Sequence, residues 1–215
     1  MKILALDFSS AQRSVAVAEG GRVLSEIIET GGRGTNAIDM MDSALREAKL
    51  EREQVECLAI GLGPGSYTGI RAAISVAQGW QLARNIKLLG LSSAECLATQ
   101  AWRDGLTGRV NVVIDAQRGE IYIAGYEISP AGFNETQPLR LTSPGDVAAT
   151  EMTGAQFIGP EVTRWFASGR IVFPRAATLA EQAVRRTDFV AGEQLEPIYL
   201  RETAFVKAPP PRLVV

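Results

Sequence analysis

Apolar residues near the start of this chain fall in short strand-length runs, and further on they recur at helical spacing. Ile3 to Leu6 makes a first apolar strand, while Ser14 to Ala18 and Val23 to Ile28 alternate well enough for two more. Gly20-Gly21 between the last two reads as a tight hairpin, so the chain opens as a meander. After Gly31-Gly32-Arg33-Gly34, either Thr35 or Asn36 can cap a helix. Its residues Ala37, Ile38, Met41, Ala44, Leu45 and Ala48 share one face, with Asp39, Asp42 and Arg46 opposite, and Met40 widens the apolar side beyond what one packing surface needs. Val55 to Ile60 reads as a buried strand. Thr68 to Arg84 reads as a second helix, apolar round most of its circumference, with Arg71, Ser75 and Gln78 as its polar strip.

Along this second helix Ala72, Val76, Gly79 and Ala83 fall at steps of four, three and four, which aligns small side chains and allows another helix to approach closely. A helix of the same chain or one of a partner subunit can fill that stripe. Two over-apolar helices in so small a protein favour an interface, and Ile38, Met41, Leu45, Ala72, Val76, Gly79 and Ala83 are the residues expected to line it.

Between the buried strand and the second helix stands Gly61-Leu62-Gly63-Pro64-Gly65-Ser66-Tyr67-Thr68-Gly69-Ile70-Arg71, with four glycines. A strand-to-helix turn of this kind leaves unpaired N–H groups at the positive end of a helix, which suits an anion, and Gly63, Gly65 and Ser66 are the candidate contacts. The plain alternative is a turn capped by Ser66 or Thr68 with no ligand, and the loop lacks the Lys-Ser/Thr ending of a P-loop.

Near residue 105 the texture turns polar, from Arg103 to Arg109, and marks a boundary between lobes 1–104 and 105–215. Val110 to Asp115 then starts a new strand, Ala116-Gln117-Arg118-Gly119 a turn, and Ile121 to Tyr126 a returning strand, which repeats the opening plan. Phe157 to Pro160 reads as a strand running into a turn and Thr178 to Arg186 as a short helix. The Pro209-Pro210-Pro211 tail cannot be helical, and the last segment is free to return to the first lobe.

Composition narrows the chemistry. With 215 residues, 46% hydrophobic and 21% charged, the chain is that of an ordinary globular protein. Its net charge of −2 gives no overall pull toward nucleic-acid phosphates, so contact with RNA needs a local patch or a partner's surface. There is no histidine, which removes Ser-His and Cys-His nucleophile pairs and the usual imidazole-held zinc or iron site. Carboxylate-held magnesium survives that test. Cys57 and Cys96, one in a strand and one in a helix-like stretch, read as buried free thiols. The start carries no secretion signal and no run approaches a membrane span, so the expected location is the cytoplasm.

Taken together, the opening Ile-Leu-Ala-Leu-Asp-Phe-Ser-Ser, the glycine loop from Gly61 to Arg71, Ile-Asp-Ala-Gln-Arg-Gly-Glu-Ile-Tyr from Ile114, and Pro-Ile-Tyr-Leu-Arg from Pro197 resemble the bacterial TsaB family, also called YeaZ. The resemblance runs from Met1 to about Arg201. It implies an α/β, two-lobed actin-like ATPase fold of the sugar-kinase, heat-shock ATPase and actin superfamily, with mixed sheets flanked by helices. It implies a non-catalytic scaffold role in threonylcarbamoylation of the adenosine beside the anticodon of tRNAs reading codons that begin with A. The implied partners are a TsaD-like catalytic subunit and a TsaE-like ATPase, with tRNA reached indirectly through the complex, and a homodimer when the chain is alone stays open. No metal, cofactor or catalytic residue of its own is implied, and whether ATP or ADP with magnesium sits at a subunit interface stays open.

In the related TsaD subunit a helix carries paired histidines for the catalytic metal, and the corresponding helix here, from Thr35 to Met41, has none. Many TsaB relatives keep a His-Ser pair at this helix start, where this chain has Thr35-Asn36. Superfamily ATPases end the first strand in an aspartate followed by a phosphate-binding hairpin, which makes Asp7 and Ser9 candidate nucleotide contacts. An aspartate there that only accepts local backbone bonds is the competing explanation. The alternative function is a phosphotransferase of the sugar-kinase type, with Asp7 and Asp115 near magnesium. A peptidase lacks support, because Ser66 would have no imidazole base.

Overall fold

The computed structural model describes residues 1–30, 36–147 and 149–201. The Gly31–Gly34 stretch, the Thr35 alternative for the first cap and the proline tail lie outside them. The opening meander is β1 (Lys2–Asp7), β2 (Gln12–Glu19) and β3 (Arg22–Thr30), with Gly20 and Gly21 at positive φ in the hairpin. Then follow α1 (Ala37–Ala48), β4 (Cys57–Gly61), α2 (Tyr67–Arg84), β5 (Lys87–Leu91) and α3 (Ser93–Arg103). The second half runs β6 (Gly108–Gln117), β7 (Glu120–Ser129), β8 (Gly132–Thr142), α4 (Ala149–Met152), β9 (Gln156–Gly159), β10 (Arg170–Ile171) and α5 (Ala176–Ala183).

Two five-stranded sheets result, ordered β3-β2-β1-β4-β5 and β10-β9-β6-β7-β8. In each sheet an antiparallel meander of three strands is extended by two strands parallel to its first strand or to one another. The repeated plan seen in the sequence is therefore one topology used twice. It is the α/β architecture of mixed sheets and flanking helices that the actin-like resemblance implies.

Strand alternation sorts the first sheet into two faces. Leu4, Leu6, Val15, Val17, Leu58 and Ile60 point to the side covered by α1 and α2. Ile3, Ala5, Ala16, Ala18, Cys57 and Ala59 face the other side, where Ala176, Leu179, Ala180 and Ala183 of α5 close over them. The small residues on that side let α5 lie close, and Ser14 Oγ accepts the α5 backbone N–H of Ala176 at 2.8 Å. In the second sheet, Val110, Val112, Ile114, Tyr122 and Ala124 pack under Ala94, Leu97, Ala98 and Ala101 of α3.

Helix α1 is capped by Asn36, whose side chain accepts from the Ile38 N–H at 3.1 Å. Met40, Met41, Ala44 and Leu45 are its buried residues, so Met40 belongs to the packing face rather than to a surplus one. Met41 and Leu45, expected at a partner surface, lie in the chain's own core against the first sheet. An apolar stripe on a helix beside a sheet is consumed by that sheet first, since burying it there needs no partner.

Candidate functional site

The glycine loop folds back on its own chain. Gly61 leaves room for the Asp7 carboxylate, where a Cβ would clash with its oxygen, and a Cβ on Gly63 would meet the Ile70 side chain. A Cβ on Gly65 would run into the Ser9 carbonyl oxygen, and one on Gly69 into that of Phe8. The same Ser9 carbonyl accepts the Ser66 N–H at 2.7 Å, and Gly63 O accepts the Ser93 N–H at 2.9 Å. All four glycines thus serve close approach of backbone to backbone or side chain within the chain. Ser66 is the N-cap of α2, its Oγ accepting from the Gly69 N–H at 3.3 Å. Among the anion candidates, Ser66 has its amide on Ser9 and its hydroxyl on the helix, and the Ser9 hydroxyl is on Asp7.

Asp7 is fully buried. Its Oδ1 accepts from Ser9 N at 2.9 Å and Ser9 Oγ at 2.6 Å, and its Oδ2 from Ser93 Oγ at 2.9 Å. Burial pushes its carboxyl above the ordinary value of 3.8, against the opposing pull of the Ser9 and Ser93 donors. A carboxylate wrapped in three donors and shut from solvent does not fit a magnesium-nucleotide site. Asp115 is likewise engaged, its Oδ1 accepting the Gln117 N–H at 2.7 Å and its Oδ2 paired with Arg164. The two aspartates that a phosphotransferase needs beside magnesium therefore serve local structure. Among the described residues no group of three or more His, Cys, Asp or Glu is placed to hold a metal ion. Cys57 and Cys96 are buried free thiols, and burial pushes Cys57 up to about 12 and Cys96 well above its ordinary value.

What the first lobe presents outward is a side of α2. Ala72, Gly79 and Ala83 are exposed, and a Cβ on Gly79 would meet nothing within 4 Å. Val76, expected with them, turns partly inward against the core. Sequence reasoning missed Leu82, 90% exposed beside this stripe, and Tyr67, 57% exposed at the helix start. Counting small residues at steps of three and four passed over both, although Leu82 lies three positions after Gly79. Ile38 of α1 is 42% exposed on the helix layer that covers the same face of the sheet. The expected interface set thus divides: Ile38, Ala72, Gly79 and Ala83 face outward, whereas Met41, Leu45 and most of Val76 do not.

No helix among the described residues is long and apolar enough to cross a membrane. The family model described as TsaD, tRNA N6-adenosine threonylcarbamoyltransferase, matches residues 34–197. The tRNA threonylcarbamoyladenosine biosynthesis protein TsaB of Escherichia coli strain K12 is 31% identical over 228 residues, covering 98% of this chain and 99% of the relative. The protein of the same name from Bacillus subtilis strain 168 is 28% identical over 130 residues, covering 59% of this chain and 56% of the relative. The solved structure of YeaZ from Pseudomonas aeruginosa matches with a TM-score of 0.80 at 28% identity, covering 93% of this chain and 99% of that one. In overall architecture and in sequence along nearly its whole length, the chain belongs to the TsaB (YeaZ) family.

Proposed function

We propose that this chain is a non-catalytic subunit in the formation of threonylcarbamoyladenosine in tRNA, acting in the cytoplasm by docking a TsaD-like catalytic subunit on the outward side of α2. The observation that carries this reading is the helix surface of Ala72, Gly79, Leu82 and Ala83, small and apolar residues left facing solvent. The small residues Ala72, Gly79 and Ala83 suit a second helix laid against them at close range, with Leu82 beside them as an apolar contact. The absence of histidine and the internal use of Asp7 and Asp115 support a scaffold role over chemistry of its own. On this reading tRNA and a TsaE-like ATPase join through the assembly, and ATP or ADP with magnesium sits at a subunit interface without Asp7 as a ligand.

The test is gel filtration of the purified chain with its cognate TsaD-like subunit. The pair should co-elute as a larger species, and Gly79→Trp, at an exposed position where a Cβ would meet nothing within 4 Å in its own chain, should weaken association at least tenfold while leaving the circular-dichroism spectrum unchanged. Absence of a complex with or without nucleotide, together with intact tRNA modification on deletion, would overturn the proposal. Full association by folded Gly79→Trp would move the docking surface elsewhere.

A further inference from the structure

The segment after α5 is held at several points along the first lobe. Val190 N donates to Leu88 O at 3.0 Å at the edge of the first sheet. Gly192 is then gripped from α2: its N–H donates to Gln81 Oε1 at 2.6 Å and its carbonyl accepts from Gln78 Nε2 at 2.9 Å. Leu195 is buried in the core under α2. Ile198 N donates to Leu62 O at 2.9 Å, in the glycine loop. Tyr199 stacks on Tyr67, the first residue of α2, with ring centroids 5.5 Å apart and planes at 18°. The segment therefore runs beside α2 from its C-terminal half to its start.

Its far end crosses to the other sheet. Arg201 Nη2 donates to Ala116 O at 3.0 Å and Gln117 O at 3.3 Å, and pairs with Glu120 at 2.6 Å. Those residues flank the β6–β7 turn, where Gln117, Arg118 and Gly119 all have positive φ. Gln117 stays paired with Glu120 across this turn, and the Arg201 guanidinium adds charge-assisted donors to the Ala116 and Gln117 carbonyls. Arg201 also lies by Tyr122 of β7, whose phenol burial pushes up and the Arg201 cation pulls back.

We propose that residues 190–201 form a strap coupling the two lobes, with Tyr199 and Ile198 holding the glycine loop and the start of α2 while Arg201 holds the β6–β7 turn. Loosening the grip on the turn then releases the loop that launches α2. This inference concerns the isolated chain and stands whether or not α2 docks a partner.

Hydrogen–deuterium exchange of the purified full chain tests it. Arg201→Ala removes charge-assisted bonds, and exchange should rise roughly tenfold both at residues 115–121 and at residues 61–70, with central β1 and β4 unchanged. Faster exchange at 115–121 alone would make Arg201 a local cap and overturn the strap, as would no change in either segment or a uniform rise across the chain. Should Arg201→Ala fail to fold, Glu120→Gln keeps the arginine and removes only its partly exposed ion pair. It should raise exchange about threefold in both segments, and a rise confined to 115–121 overturns the proposal in the same way.

Discussion

Asp7 sits where solvent does not reach, between the β1 end, the glycine loop and the start of α3, and its ionisation opposes the fold. Because burial raises its folded value above the ordinary 3.8, the folded state holds the proton more tightly than the unfolded chain. Its contribution to stability is fully present below that ordinary value and is lost as pH rises through the raised one. Asp7→Asn keeps an oxygen to accept from Ser9 and lets the Ser93 hydroxyl rotate to accept from the new amide, yet it cannot ionise. Urea melts should therefore show the variant gaining stability relative to the parent between pH 4 and pH 7, with partner association unchanged. A constant difference across that range would mean that Asp7 is not held above its ordinary value, and lost association would return it to the candidate site. Asp7 could be found in the sequence as a strand-end aspartate. Its second partner could not, because Ser93 stands 86 positions away.

Within one helix, Gly69 and Gly79 have opposite duties. Gly69 faces the Phe8 carbonyl so closely that a Cβ cannot fit, whereas nothing lies near Gly79. Gly69→Ala should destabilise the chain by about 3 kcal/mol through overpacking against backbone, while Gly79→Ala should stabilise it by about 1 kcal/mol through helix propensity. Thermal melts of the two variants check both signs. A gain from Gly69→Ala would show that the loop does not pack on the β1–β2 turn as described. The span of α2 was legible to within one residue, since Ser66 and the apolar run announce it. The outward side of α2 was legible in large part, since Arg71 and Ser75 of the polar strip and Ala72, Gly79 and Ala83 of the small stripe are exposed. The fate of Val76 and Leu82 was not, because which apolar residues the rest of the chain covers is not recorded in the helix itself.

At the scale of the molecule, the lobe that begins the chain is completed by a helix from near its end. Helix α5 covers the face of Ile3, Ala5, Ala16 and Cys57, and Arg175 at its start pairs with Glu26 of β3. A fragment of residues 1–104 would leave that apolar face open to water, and it should show no cooperative thermal transition, measured by circular dichroism beside the full chain. A sharp melt of the fragment would mean that the first lobe is stable without α5.

The sequence by itself determined the elements that rest on local periodicity and turn chemistry: the opening meander, the two main helices, the glycine turn and the repeat of the meander after residue 105. It also determined family, because the glycine loop and the Pro197–Arg201 motif are contiguous strings. Only the tertiary structure decided what those strings are for. The glycines make room for Asp7, Ile70, Ser9 and Phe8, and Pro197–Arg201 reaches from α2 to the β6–β7 turn. The physical reason is the same in each case: burial and hydrogen bonding are settled by whichever distant segment arrives to cover a surface, and spacing along the chain records only the surface that is offered.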